Sequence, residues 1–279
     1  MNVVLPAASN GAAATAYAYT GGRAFDATLP TVVFVHGALH DHSVWTLPAR
    51  WFAHHGHGVL ALDLPGHGRS SGPALASVEA MAGWVLAVLD AAGVDHASFV
   101  GHSMGSLVAL EAAARAPTRA RHLVMIGTAY PMVVSPALLE AAENDPQGAI
   151  ANVNIWSHST NAAKPSHPAP GSWLHGANIA LMRRMQAADP ASNLFLTDFR
   201  ACNAYRGGIE ATAKVKCPAT LVVGRRDQMT VAKDASALAQ ALGTSPVSIG
   251  AGHALMTEAP DAVLEVLRHA IVGLKPGAA

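Results

Sequence analysis

The chain carries little charge for its length. Only 13% of its 279 residues are charged, the 18 basic and 18 acidic side chains cancel, and no run of one sign stands out. Proteins that bind nucleic acid gather Lys and Arg side chains to neutralise phosphates. The sparse and balanced charge therefore predicts no nucleic acid partner.

Cysteines and long apolar runs are also scarce. The longest apolar stretch, residues 81–89, is stopped by Asp90, whereas a helix needs about 20 apolar residues to span a bilayer. Residues 1–6 lack the basic start and the apolar stretch of a secretory signal. Two thiols, Cys202 and Cys217, in a chain of this length favour a reducing compartment and no disulfide framework. We expect a cytoplasmic protein without membrane association.

Cofactor motifs are missing as well. The sequence has neither a phosphate-binding loop nor the glycine fingerprint of dinucleotide-binding proteins. His158, His167 and His175 lie in a Pro-rich stretch with no carboxylate or thiolate at ligand spacing, so they do not form a metal-binding pattern. The sequence predicts no organic cofactor and no metal. It leaves the oligomeric state open, and a homo-oligomer is compatible with it.

The chain is rich in apolar sequence, which is arranged in short runs. It is 51% hydrophobic with a mean hydropathy of +0.26, enough for a large core. The runs predict strands at residues 15–20, 31–35, 59–62, 97–100, 123–126, 219–223 and 247–249. Helical segments are predicted at residues 81–92, directly after Ser103, and at 259–274. This alternation predicts an α/β fold with a mostly parallel, doubly wound sheet that binds ligands at the carboxyl ends of its strands.

Two segments depart from the alternation. Residues 1–14 show no clear period, and we expect a frayed start there. Residues 131–208 contain no convincing buried strand and predict a helical cap that shapes the pocket and excludes water. The predicted helical pieces of the cap are 136–144, 175–188 and 192–205. The core domain then comprises residues 1–130 and 209–279.

A nucleophile motif follows the strand at residues 97–100. The segment Gly101-His102-Ser103-Met104-Gly105 has the form G-x-S-x-G, and helix-forming residues come directly after it. The bare pattern is weak, but between a strand and a helix it makes a turn so tight that the serine takes a strained conformation and faces the substrate. Ser103 is therefore the predicted nucleophile of an enzyme that forms a covalent intermediate.

Two further strand ends carry the partners that a serine nucleophile needs. A serine hydroxyl requires a base within hydrogen-bond reach, and the base requires an acid that fixes its tautomer. Asp227 lies just past the strand at 219–223, and His253 lies just past the strand at 247–249. Both are expected at the same edge of the sheet as Ser103. Their order in the chain is that of the α/β-hydrolase triad.

Two backbone N–H groups are candidates for the oxyanion hole of an acyl intermediate. One belongs to Met104, at the start of the helix after Ser103, where the helix dipole also favours negative charge. The other belongs to Ala38, in the loop that follows the strand at 31–35, where Gly37 allows a sharp turn. We interpret His36, in the same loop, as a structural residue.

With these motifs the chain resembles the α/β-hydrolase superfamily, in its cap-bearing branch of small esterases, C–C hydrolases and cofactor-free haloperoxidases. The matching segments span nearly the whole chain in family order, and they are residues 36–38, 63–70, 101–105, 224–227 and 252–253. The resemblance implies the α/β-hydrolase fold with a helical cap inserted between strands 6 and 7. It implies Ser103, Asp227 and His253 as the triad, with Ala38 and Met104 as oxyanion donors. It also implies a structural role for the 63–70 loop.

Several reactions fit this machinery. Serine at the nucleophile position favours hydrolysis of a carboxylic ester, lactone or thioester, because the related haloalkane dehalogenases and epoxide hydrolases use aspartate there. C–C bond hydrolysis of a diketone acid is an alternative, with Arg183, Arg184 and Arg200 as candidate carboxylate holders. Perhydrolysis or halogenation without cofactor, and a ligand receptor with an intact triad, also stay open. For a small to medium apolar substrate, the expected pocket residues are Leu39, His102, Trp156, Met182 and Met229.

Overall fold

The computed structural model describes residues 1–6 and 14–273. Within these residues the strands form one sheet of eight, in the order β1-β2-β4-β3-β5-β6-β7-β8. The strands are β1 (Asn2–Leu5), β2 (Ala14–Tyr19), β3 (Thr31–Val35), β4 (Gly58–Leu62), β5 (Ala97–His102), β6 (Ala120–Ile126), β7 (Ala219–Gly224) and β8 (Val247–Ile249). β1 and β2 pair antiparallel to their neighbours, and the other six strands are parallel. The sheet is the one expected of the α/β-hydrolase fold.

Helices cover both faces of the sheet, and further helices form an insertion between β6 and β7. They are α1 (Thr46–His54), α2 (Val78–Ala91), α3 (Met104–Arg115), α4 (Pro136–Asn144), α5 (Pro146–Ser157), α6 (Leu174–Ala187), α7 (Leu194–Ala204), α8 (Gly208–Thr212), α9 (Ser236–Ala241), α10 (Leu255–Glu258) and α11 (Pro260–Val272). Side chains alternate across a strand, and along β3 Val33 belongs to the apolar cluster that includes α2 and α3, while Phe34 belongs to the cluster that includes α1 and α11. Because both faces of β3 are buried, its sequence is a continuous apolar run rather than an alternating one.

The start of the chain differs from the expected frayed end. Residues 2–5 form β1, which pairs with β2 from Asn2↔Tyr17 to Leu5↔Ala14. Val3 and Leu5 are buried in the core, whereas Asn2 and Val4, which alternate with them, are exposed. A strand of four residues has only two buried positions, which are too few for an alternating pattern to be recognised in the sequence. Residues 7–13, which belong to the same expectation, lie outside the described residues.

Residues 136–204, which we call the helical insertion, lie between β6 and β7 and contain α4 to α7. They share an apolar cluster that includes Ile150, Met182 and Phe195, and Leu39 of the core joins it. Predicted pieces match α4, α6 and α7 closely, but α5 has no counterpart in the sequence prediction. Asp145 and Pro146 look like a turn, yet here Asp145 caps α5 by accepting from the Gly148 N–H at 3.0 Å. No described helix has the length and apolar character needed to cross a bilayer.

Candidate active site

Ser103 lies in the turn between β5 and α3 with a strained backbone. Its φ of 52° and ψ of −122° place a non-glycine residue in a sparsely populated region. The turn is held from outside, because the Ser103 N–H donates to the Ile126 carbonyl of β6 at 2.9 Å. Such strain persists only where surrounding contacts hold the backbone in place. In this turn it directs the Ser103 side chain away from the carboxyl edge of the sheet.

The flanking glycines are required by the close approach of backbone segments. A Cβ on Gly101 would lie 2.0 Å from the Gly105 carbonyl oxygen, and a Cβ on Gly105 would lie 2.3 Å from the Val35 carbonyl oxygen. Both distances are far shorter than van der Waals contact. The G-x-S-x-G spacing is thus dictated by how tightly α3 packs onto β3 and β5.

Asp227 and His253 form a buried pair at the ends of β7 and β8. His253 Nδ1 donates to Asp227 Oδ2 at 2.8 Å. The Met229 N–H and the Thr230 N–H each donate to Asp227 Oδ1 at 2.8 Å, and the Thr230 hydroxyl donates to Oδ2. Burial alone would raise the pKa of Asp227, but the charge and hydrogen bond of His253 and the Thr230 donors outweigh it and lower that pKa. The carboxylate therefore stays ionised beside the ring.

The pairing fixes the tautomer of His253. With its proton on Nδ1 and facing Asp227, the neutral ring has Nε2 left as a proton acceptor. The His102 ring lies 4.7 Å from the His253 ring, centroid to centroid, and His102 Nε2 donates to the His253 carbonyl at 2.9 Å. Burial, followed by the neighbouring His253 charge, holds the pKa of His102 well below its ordinary value. A neutral His102 thus packs beside His253 without competing for the carboxylate.

Ser103 is not yet joined to His253 by a hydrogen bond. In the described part of the chain, the Ser103 hydroxyl makes no hydrogen bond, and it lines a cavity instead. Contacts between a nucleophile and its base are often long before substrate is in place. The structure brings Asp227 and His253 together and places Ser103 at the same edge of the sheet.

The two predicted oxyanion donors are available. Neither the Ala38 N–H nor the Met104 N–H donates to any other group among residues 1–6 and 14–273. Met104 begins α3, so the positive end of the helix dipole lies beside Ser103. Ala38 lines the same cavity as Ser103. Two unpaired donors beside a nucleophile are the arrangement that stabilises a developing oxyanion.

The cavity at Ser103 is small and mostly apolar, with a volume of about 180 Å³. Its walls come from the core and from the helical insertion, and they contain two of the predicted pocket residues, Trp156 and Met229. The lining residues are Ala38, Ser103, Met132, Val133, Val134, Ser135, Leu138, Trp156, Phe199, Cys202, Gln228, Met229 and Thr230. Burial and the nearby Asp198 charge raise the pKa of the Cys202 thiol, so this thiol in the cavity wall stays protonated.

Three other predicted pocket residues lie elsewhere. Leu39 and Met182 are buried in the apolar cluster of the helical insertion and are absent from the cavity lining. Leu39 lies in the loop after β3 and Met182 on α6, and both side chains pack among the apolar residues of the insertion. His102 lines a separate small cavity with His253 and Asn178, and Ser103 is absent from the lining of that cavity. Sequence position alone cannot tell which face of the loop or helix a side chain occupies.

The arginines considered as carboxylate holders also lie away from the cavity. Arg184 donates to Asp41 at 2.9 Å, and Arg200 donates to Glu143 at 3.3 Å. Arg183 is exposed on α6. Among the described residues that line the Ser103 cavity there is no Lys or Arg.

His36 has a structural position. Its Nε2 accepts from the Leu64 N–H at 3.1 Å, while its Nδ1 donates to the Gly37 carbonyl at 2.8 Å. Burial, then the charge of His67, lowers the pKa of His36 to about 4. The neutral ring connects the loop of Ala38 to the 63–70 loop.

Sequence reasoning missed one residue of this region, Asp198 on α7. It is fully buried and accepts from the Leu39 N–H at 2.9 Å and from His67 Nε2 at 3.0 Å. Its partners are 159 and 131 positions away in the chain. No local motif marks it, so only the fold reveals the contact.

Comparisons with known proteins agree with this architecture. A family model described as the α/β hydrolase family matches residues 32–266. The pimeloyl-[acyl-carrier protein] methyl ester esterase of Chromobacterium violaceum is 31% identical over 246 residues, which is 84% of this chain and 84% of that protein. The solved enol-lactonase from Burkholderia xenovorans LB400 superposes with a TM-score of 0.78 at 22% identity, covering 93% of this chain and 97% of that one.

A relative with higher sequence identity matches this chain over a much shorter region. The dihydrolipoyllysine-residue acetyltransferase component of the acetoin cleaving system from Cupriavidus necator is 41% identical over 112 residues. That region is 39% of this chain and 28% of the relative, so this chain spans well under two thirds of that protein's length. The family model, in contrast, covers most of the chain and includes Ser103, Asp227 and His253. The chain therefore belongs to the α/β hydrolase family.

Proposed function

We propose that this protein hydrolyses small, uncharged carboxylic esters through an acyl-enzyme on Ser103. The proposal is supported by three features that lie at one edge of the sheet. They are the Asp227–His253 pair, the strained Ser103, and the unpaired N–H groups of Ala38 and Met104. Each of these features is costly or unusual alone. Together they supply the nucleophile, base, orienting acid and oxyanion donors of acyl transfer.

Acylation begins when Ser103 Oγ attacks the ester carbonyl carbon and His253 Nε2 takes the hydroxyl proton. The carbonyl electron pair moves onto oxygen, and the Ala38 and Met104 N–H groups donate to the resulting oxyanion. Asp227 stabilises the imidazolium formed on His253. When the tetrahedral intermediate collapses, the bond from carbon to the alkoxy oxygen breaks, and His253 gives its proton to the departing alcohol.

Deacylation repeats these steps with water as the nucleophile. His253 Nε2 takes a proton from a water molecule, whose oxygen attacks the acyl carbon. The second oxyanion uses the same two donors, and its collapse breaks the bond to Ser103 Oγ. His253 then returns the proton to Ser103, and the carboxylic acid leaves.

The cavity favours a small neutral acyl or alkoxy group. Its volume of about 180 Å³ is below the roughly 300–1,000 Å³ of sites for drug-sized ligands. Its walls are mostly apolar, and Arg184 and Arg200 are engaged with acidic partners outside it. A diketone acid would bring a carboxylate that nothing in this lining neutralises. The esterase and enol-lactonase names among its relatives support the same bond type.

The reaction is tested with Ser103→Ala and p-nitrophenyl acetate. We expect turnover to fall to the background rate while the thermal unfolding midpoint and the circular dichroism spectrum stay close to the wild type. Ser236→Ala, an exposed serine at the start of α9, is the matched control and should retain full activity. Wild-type turnover in Ser103→Ala would contradict the mechanism.

The substrate class is tested by a panel at equal concentration. It should contain p-nitrophenyl acetate, butyrate and octanoate, a small lactone, a diketone acid and a peracid-forming assay with acetate and hydrogen peroxide. We expect kcat/KM to be highest for the short esters. A preference for the diketone acid or for perhydrolysis would replace the proposed reaction while leaving the nucleophile in place.

A further inference from the structure

Asp198 joins three segments that are distant in the chain. It lies on α7 of the helical insertion and is completely buried. Its Oδ2 accepts from the Leu39 N–H, in the loop of the oxyanion donor Ala38, at 2.9 Å. The same oxygen accepts from His67 Nε2, in the 63–70 loop, at 3.0 Å. One carboxylate of the insertion therefore contacts two loops of the core.

The contact reaches a strained point of the oxyanion loop. Leu39 has a φ of 56°, a left-handed conformation that a branched side chain rarely adopts. Within the loop, the His40 N–H donates to the Gly37 carbonyl at 3.3 Å, a long hydrogen bond. Strained residues keep their conformation only where surrounding contacts hold them. The Leu39 N–H to Asp198 hydrogen bond is such a contact, and it lies one residue after Ala38.

His67 supplies the opposite charge that a buried carboxylate needs. Its Nε2 faces Asp198, and its Nδ1 faces the Pro65 carbonyl at 3.1 Å. Both partners are acceptors, so both ring nitrogens must donate and the ring is an imidazolium. Burial opposes this charge, but the Asp198 carboxylate, the Pro65 carbonyl and the Asp63 charge together outweigh burial and raise the pKa of His67. The second oxygen of Asp198, Oδ1, is buried without a hydrogen-bond partner among the described residues.

We propose that Asp198 is a positioning residue that holds the Leu39 backbone so that the Ala38 N–H stays aimed into the oxyanion hole. This inference rests on the proposed function. It makes the oxyanion hole depend on the docking of α7, so the helical insertion contributes to the chemistry as well as to the walls of the pocket.

The test compares Asp198→Ala with Asp198→Asn. Asp198→Ala removes the acceptor of the Leu39 N–H, and we expect kcat to fall roughly 10- to 100-fold, below the full 10²–10³-fold cost of losing an oxyanion donor. KM should change little, because the lost interaction acts on the transition state. Asp198→Asn keeps a side-chain oxygen for Leu39 and should restore most of kcat. Thr197→Ala, on the same helix, is the matched control.

A second readout does not depend on turnover. Hydrogen–deuterium exchange of the peptide that contains Ala38 and Leu39 should be faster in Asp198→Ala than in the wild type and in Asp198→Asn. If exchange in that peptide is unchanged, Asp198 does not hold the loop, whatever the enzyme hydrolyses. Absence of ester turnover in the wild type would instead contradict the proposed function alone.

A double variant covers the case in which Asp198→Ala does not fold. Asp198→Leu combined with His67→Leu replaces the buried ion pair with apolar side chains, an exchange that is often neutral for stability. It still removes the acceptor of the Leu39 N–H. We expect the same fall in kcat and the same faster exchange. A stable double variant with wild-type kcat and exchange would overturn the proposal.

Discussion

Among the residues that the structure describes, two Asp–His pairs with both side chains buried look alike but differ in what the second ring nitrogen contacts. His253 Nδ1 donates to Asp227 at 2.8 Å, and His67 Nε2 donates to Asp198 at 3.0 Å. All four side chains are buried. The other nitrogen of His67 faces the Pro65 carbonyl, whereas no hydrogen bond within the described residues engages Nε2 of His253. One ring is locked as a cation, and the other is left with a free acceptor.

The difference shows that a carboxylate–imidazole pair does not define a base by itself. An imidazole with two acceptor partners must keep both protons and cannot take another from a nucleophile. An imidazole with one acceptor partner keeps a lone pair on its other nitrogen. Asp227 also has three further donors that fix its orientation, while Asp198 Oδ1 has none in the described part of the chain. These contacts support the proposed catalytic role of the Asp227–His253 pair and the proposed positioning role of the Asp198–His67 pair.

The largest expected effect is that of His253→Ala. We predict that kcat/KM for p-nitrophenyl acetate falls by about 10⁶-fold, because removal of the base from a serine triad disables the whole unit. Thermal unfolding should shift far less than the activity does. Steady-state kinetics and a melting curve on the same sample measure both. A loss of less than tenfold would mean that another group serves as the base.

Asp227→Asn should have the next largest effect. The amide keeps the shape of the side chain but favours the wrong tautomer of His253, and we expect kcat to fall by about 10⁴-fold. The measurement is kcat at saturating ester with the folded fraction checked by circular dichroism. If Asp198→Asn lost as much activity as Asp227→Asn, the two pairs would not have the separate roles that we assign.

His67→Gln should affect stability more than chemistry. It leaves the Asp198 carboxylate buried without its counter-charge, and breaking such a pair costs about 3 kcal/mol of unfolding free energy. The acceptor of the Leu39 N–H remains, so kcat of the folded enzyme should stay near the wild type. Chemical denaturation and kinetics together separate these effects. A large fall in kcat with unchanged stability would contradict this prediction.

The smallest predicted effect is a pH dependence of stability. A raised folded-state pKa of His67 stabilises the fold fully below its unfolded pKa of about 6.5, and this contribution is lost as pH rises through the folded pKa. The groups that face the ring are Asp198, Asp63, His36 and the Pro65 carbonyl. From pH 6 to 8.5 the wild type should lose stability relative to Asp198→Asn, by about 1.4 kcal/mol per unit of raised pKa. If the denaturation midpoints of the wild type and of Asp198→Asn changed in parallel with pH, His67 would not carry the charge that we assign to it.

Much of the fold was readable from the sequence. Strands such as β3 and β4 are buried on both faces, so each is a continuous apolar run between turn residues. The alternation of such runs with helices predicted the doubly wound sheet, and this prediction is confirmed by the structure and by the family match. The nucleophile turn was recognisable because backbone contacts at Gly101 and Gly105 leave no room for other residues.

The contents of the pocket were less predictable. Trp156 and Met229 line the cavity, whereas Leu39 and Met182 pack away from it. Apolar residues of the insertion either line the cavity or pack against one another, and composition does not distinguish these two roles. The role proposed for Asp198 depends on contacts across more than a hundred residues. The triad assignment stays a prediction that the geometry supports.

The most direct test of the central claim is covalent labelling with a fluorophosphonate, which reacts with activated serines. After digestion, mass spectrometry should locate a single adduct on the peptide that contains Ser103, and Ser103→Ala should show none. His253→Ala should react far more slowly than the wild type, whereas His67→Gln should react at a rate close to it. An adduct on another serine, or equal labelling rates in His253→Ala and the wild type, would contradict the assignment of Ser103 and His253 as nucleophile and base.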